Sequence, residues 1–101
     1  MMQKQIEVLL VRANLRVSPL LRVCPSYILR SMAIEVTAIL SPLLNGGRES
    51  ASDGEIAVAV REALDNLAVM EIHGEGTCIQ DNVIEAEVLL LKTLGVLHGK
   101  V

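Results

Sequence analysis

The chain has no phenylalanine and no tryptophan, and Tyr27 is its one aromatic residue. A surface that holds single-stranded nucleic acid by stacking bases on rings is therefore disfavoured. The core has to come from Leu, Val, Ile, Ala and Met, a composition that suits helix packed on helix. Cysteine is equally sparse: Cys24 and Cys78 form no close pair. No disulfide framework is expected, and a reducing cytoplasmic setting is the default, with an organelle matrix as the alternative. No apolar run is expected to span a membrane, because Glu35 interrupts the best candidate and Glu85 and Glu87 the next. The first apolar run is short and carries Glu7, unlike a secretory signal.

Signatures of chemistry are also missing. Gly74-Glu75-Gly76 lacks the longer glycine spacing and the Lys-Ser/Thr end of a phosphate loop. His73 and Cys78 flank that stretch, with Glu71 and Glu75 nearby, but they match no zinc spacing and offer only two good ligands unless two chains meet. As a Cys–His nucleophile the pair lacks a clear third group, and a cysteine acts as a small apolar side chain far more often than as a catalyst. His98 falls near the C-terminus and is expected to be solvated. A non-enzymatic protein is the expectation, with no catalytic residue, cofactor or metal assigned.

What is present is apolar surface. The 101 residues, 51% hydrophobic, read as one domain over 1–101, and the mean hydropathy of +0.48 is high for so short a chain. That much apolar surface is hard to bury in a monomer, which points to self-association or a larger protein partner.

Periodicity gives the elements. In 1–17, Ile6, Leu9, Leu10 and Ala13 share a helical face. Ser18-Pro19 and Cys24-Pro25 break the chain, and Pro25 suits the first position of a helix running to about Leu40, with Leu29, Met32, Val36, Leu40 and Leu43 on its buried side. Ser41-Pro42 is expected to kink or end that helix, and the loop from Gly46 to Asp53 follows. Ser52 and Glu55 stand at capping-box spacing, and Ile56, Val60, Ala63, Leu64 and Leu67 form a stripe, so a helix is expected from about Gly54 to about Val69. On that helix Arg61 and Asp65 are spaced for a surface ion pair.

Met70-Glu71-Ile72-His73 then alternates, Gly74 and Gly76 can take positive φ, and Thr77-Cys78-Ile79-Gln80 can return. The favoured reading is a short β-hairpin near residues 70–80 in a mainly α domain; the alternative is a helix–helix connection within an all-α bundle. Asp81 or Asn82 can cap a last helix, apolar nearly all round, which places it at the centre of the fold or in an interface. Its candidate interface residues are Ile84, Val88, Leu90, Leu91 and Leu94.

In outline, helix, helix and hairpin resembles a winged-helix domain, with 54–69 as the helix offered to DNA and 74–76 as the tip of the wing. That resemblance implies a DNA-binding regulator or, since winged helices also dock on proteins, a protein-binding module. The charges oppose the first use: Glu55, Glu62, Asp65 and Glu75 would meet the phosphates, offset only by Arg61.

Charge is unevenly placed within the net −3. Residues 1–30 hold Lys4, Arg12, Arg16, Arg22 and Arg30 against Glu7 alone, and the remainder is strongly acidic. Arg12, Arg16, Arg22 and Arg30 are the candidate basic contacts, whether with the acidic remainder, in the same chain or another, or with nucleic acid or anionic lipid. An organelle-targeting role is a further reading of this Arg-rich start, and a solvated face without a partner is the plain one. The reading favoured throughout is a small non-enzymatic interaction or assembly protein working through its apolar helices.

Overall fold

The computed structural model describes residues 4–23, 26–44 and 52–98. Five helices account for them: α1 (Lys4–Val17), α2 (Leu20–Val23), α3 (Tyr27–Leu44), α4 (Asp53–His73) and α5 (Gln80–His98). The four long helices close into a ring. α1 packs on α5 and on α3, and α4 packs on the same two; α1 and α4 do not touch, nor do α3 and α5. The single-turn α2 sits against α1 and α3.

Each helix contributes one row to a shared aliphatic core. α1 gives Ile6, Leu9, Leu10, Ala13 and Val17, the expected face carried one turn further. α3 gives Leu29, Ala33, Val36, Leu40 and Leu43, while Met32 lies at the core's edge. α4 and α5 complete it with rows that include Val60, Leu67, Val83 and Leu90. Burying such side chains stabilises by about 1.5–3 kcal/mol each before the entropy of ordering is set against it.

The capping box forms as the spacing predicts. The Glu55 N–H donates to Ser52 Oγ at 3.1 Å, and the Ser52 N–H donates to Glu55 Oε1 at 2.8 Å. The end of α3 differs. α3 runs through Pro42 to Leu44 instead of ending near Leu40. Proline has no N–H to give the helix, but Leu43 beyond it is buried and extends the inward row by a turn. The placement of Pro25 at a helix start and nearly all of the expected 46–53 loop lie outside the described residues; Ser26 Oγ accepts the Leu29 N–H at 3.1 Å at the start of α3.

The β-hairpin, and with it the winged-helix outline, is overturned: the described residues contain no strand. Residues 70–73 are the last turn of α4, because Met70 continues the inward row after Leu67 and is fully buried, while Ile72 points to solvent at 71% exposure. Residues 74–79 are a tight helix–helix turn. The Gly74 N–H closes α4 on the Met70 carbonyl at 2.7 Å, and Gly76 takes a left-handed φ of +79°. Thr77 Oγ1 donates to the Gly74 carbonyl at 2.6 Å, and the Gly76 N–H donates to Gln80 Oε1 at 3.1 Å. Ile79 is buried under the turn, and α5 begins at Gln80, so Asp81 lies within its first turn instead of capping it. The all-helical alternative is the architecture found.

α3 also corrects the reading of apolar runs. By length and composition it is apolar enough to cross a membrane, Arg30 and Glu35 notwithstanding, and 28% of it is buried in the bundle. Length and hydropathy alone do not separate a core helix from a spanning one.

Candidate interaction surface

The last helix explains its own composition. Val83, Ala86, Leu89, Leu90 and Leu97 face inward, and Thr93 is buried with them, its hydroxyl donating to the Leu89 carbonyl at 2.9 Å. Ile84, Val88 and Leu91 stand in a second row, four and three residues apart, which places them on one face. They are 37%, 44% and 57% exposed. The five residues expected at an interface therefore divide. These three lie on the surface, Leu90 is wholly inside the core, and Leu94 is partly buried against it. A charge at Leu90 would disrupt the core before it tested any surface.

A neighbouring row on α1 was not foreseen. Val8, Val11 and Leu15, at helical spacing, are exposed, Leu15 to 63%. The signal is in the sequence: a second apolar period lies opposite the inward one and is masked by the stronger of the two.

Between the two rows runs a strip of charge. Arg16 Nη2 lies 3.1 Å from Glu85 Oε2, both side chains about half exposed, so α1 and α5 are bridged at their surface. Arg12, Arg16 and Lys92 line a shallow groove of about 200 Å³ together with Glu85 and the apolar Ile84, Val88 and Leu89. Among the described residues Arg12 and Lys92 have no carboxylate within ion-pair distance. Of the four candidate basic residues, Arg16 alone meets a carboxylate of the acidic remainder among the described residues, at Glu85. Arg12 and Arg16 come together with α5, whereas Arg22 sits at the α1–α2 corner beside Leu15 and Leu21, and Arg30 is exposed on α3.

The opposite side of the ring has the reverse charge. Val58, Glu62, Asp65 and Val69 recur at spacings of four, three and four along α4, all exposed. The expected Arg61–Asp65 ion pair does not form; Arg61 Nη2 instead lies 3.2 Å from His98 Nε2 on α5. α4 and α5 also meet at two carboxyls. Burial pushes Glu87 up to about 7 from its ordinary 4.5, aided by a hydrogen bond to Glu71 and by the Glu71 charge.

His73 ends α4 and Cys78 lies in the following turn, both exposed. No group of three or more His, Cys, Asp or Glu side chains is placed to hold a metal among the described residues. Cys24 lies outside them.

No protein-family model matches the chain, and no curated protein or solved structure matches it significantly.

Proposed function

We propose that this small, compact, all-helical domain is a non-enzymatic interaction module that docks through the side formed by α1 and α5. One observation carries the reading: Ile84, Val88 and Leu91 form a row turned to solvent on a helix whose other apolar row already fills the core. Scattered surface leucines are ordinary, but aligned rows on adjacent helices make a patch of the kind that marks contact sites. The α1 row of Val8, Val11 and Leu15 adds exposed apolar side chains on the neighbouring helix, and Arg12, Arg16 and Lys92 between the rows supply the polar groups that give an apolar contact its register.

The test is a chain carrying I84Q, V88T and L91Q together. Wild type either assembles or, if monomeric, binds a dye that fluoresces on apolar surfaces. The triple variant is expected to lose whichever property wild type shows while melting within a few degrees of it, because exposed substitutions usually change stability by no more than about 0.5 kcal/mol. A wild-type monomer that binds no dye would remove the reading.

A further inference from the structure

We propose that the partner of the α1/α5 side is the α4 face of a second copy of this chain, in a head-to-tail contact. The inference rests on the docking role of the α5 row and adds its occupant. The argument is one of charge complementarity between two sides of the same molecule. The α1/α5 side offers Ile84, Val88 and Leu91 bordered by Arg12, Arg16 and Lys92. The outward face of α4 offers Val58 and Val69 with Glu62 and Asp65 between them. Arg12 and Lys92 have no carboxylate within ion-pair distance among the described residues, and Glu62 and Asp65 have no cation.

Within a chain these sides are turned apart: Arg12, Arg16 and Lys92 line the groove between α1 and α5, whereas Val58 and Glu62 lie beside Ile39 at the groove between α3 and α4. A second copy brings them together. Arg12 and Lys92 then meet Glu62 and Asp65, and the ends of the Ile84, Val88 and Leu91 row come towards Val58 and Val69. Pairing two α1/α5 sides face to face would instead bring Arg12, Arg16 and Lys92 towards their own copies, and like charges held together in a contact disfavour it. The long sides are adequate in size: with Cα extents of 38 × 25 × 18 Å, they are of the order of the roughly 800 Å² per partner that a standard interface buries. A contact between unlike faces leaves one free face at each end, so assembly continues unless the rotation closes a ring.

The experiment is sedimentation of the full chain over a wide concentration range, at about 50 mM and about 500 mM salt. Wild type is expected to grow beyond a dimer with concentration, and the higher salt to weaken association at least about tenfold. Two variants reverse one face each: R12E with K92E, which keeps the Arg16–Glu85 pair, and E62K with D65K. Each alone is expected to be monomeric, with a melting temperature matching wild type when both are compared at about 500 mM salt, and the chain carrying all four substitutions to assemble again, since both faces are then reversed together. Should a double variant unfold, the single R12E and D65K changes and the chain combining them carry the same comparison.

Assembly untouched by E62K with D65K would overturn the proposal in favour of a contact between like faces. A wild-type monomer at the highest concentration would overturn it in favour of another occupant, such as a foreign acidic helix or an anionic vesicle. If that monomer still binds an apolar dye that the I84Q, V88T and L91Q chain does not, the docking role of α5 stands while its occupant changes. A monomer binding no dye removes both.

Discussion

Asn14 is the residue at which the fold is least well satisfied. Its backbone carbonyl accepts from both the N–H and the hydroxyl of Ser18, each at 2.9 Å, at the end of α1. Its side-chain Oδ1 is buried without a hydrogen-bond partner among the described residues. An unpaired buried acceptor forfeits its water for nothing, at about 1–3 kcal/mol, whereas an apolar side chain of similar size has nothing to forfeit. Asn14→Leu is therefore expected to raise stability by about 1 kcal/mol. A urea titration checks it: the midpoint should rise with the slope unchanged. A lower midpoint would mean that solvent reaches the amide after all. The sequence hides this site, because Asn14 leans away from the main apolar face of α1 and reads as an ordinary polar position.

At the scale of elements, the turn between α4 and α5 decides the architecture, and two glycines test it in opposite directions. A Cβ on Gly74 would lie 2.9 Å from the Met70 carbonyl oxygen and 3.0 Å from Ile79 Cδ1. The carbonyl is backbone already holding the Gly74 N–H, and Ile79 is fully buried, so neither neighbour yields cheaply. Gly74→Ala is expected to lose about 1–3 kcal/mol by overpacking. Gly95 lies within α5 with nothing within 4 Å of an added Cβ, so Gly95→Ala should gain up to about 1 kcal/mol from helix propensity. A thermal melt of Gly74→Ala at or above the wild-type midpoint would refute the account of the turn, and a lowered Gly95→Ala midpoint would refute that of α5. The same elements show what was legible. The start of α4 could be read because a capping box is local chemistry within four residues. Its end could not, because Met70-Glu71-Ile72-His73 fits both a two-residue and a helical period, and four residues are too few to separate them. What decides is the burial of Met70 beside Leu67, a tertiary fact. α5 posed the same difficulty around its circumference. Periodicity shows the residues of both rows but not which row faces inward, so it does not separate the buried Leu90 from the surface residues Ile84, Val88 and Leu91.

For the whole molecule, pH acts through the seam between α4 and α5. Glu87 on α5 is held up at about 7 by burial, by its hydrogen bond to Glu71 and by the Glu71 charge. Glu71 lies in the last turn of α4, where the helix dipole also opposes negative charge. A carboxyl whose folded value exceeds its unfolded one is stabilising while protonated. That contribution is complete below about 4.5 and is lost as pH rises through about 7. Glu55 acts in the opposite sense: the Ser52 N–H and hydroxyl hold its carboxyl below the ordinary value, so its share is present above 4.5 and fades in acid. The chain should therefore be most stable in mildly acid solution. Both carboxyls of the seam are partly exposed, so solvent screening reduces the Glu87 contribution to about 1 kcal/mol. For a domain of this size that is a melting temperature roughly 4–8 °C higher near pH 5 than near pH 8. Glu87→Gln keeps an N–H to donate to Glu71 and carries no charge at any pH, so it should melt higher than wild type near pH 8 and flatten the slope between the two. The comparison belongs at high salt, where the proposed contact between copies would be weakened and melting should not depend on concentration. A wild-type slope that survives Glu87→Gln would move the titrating group elsewhere and leave the α4–α5 seam indifferent to pH.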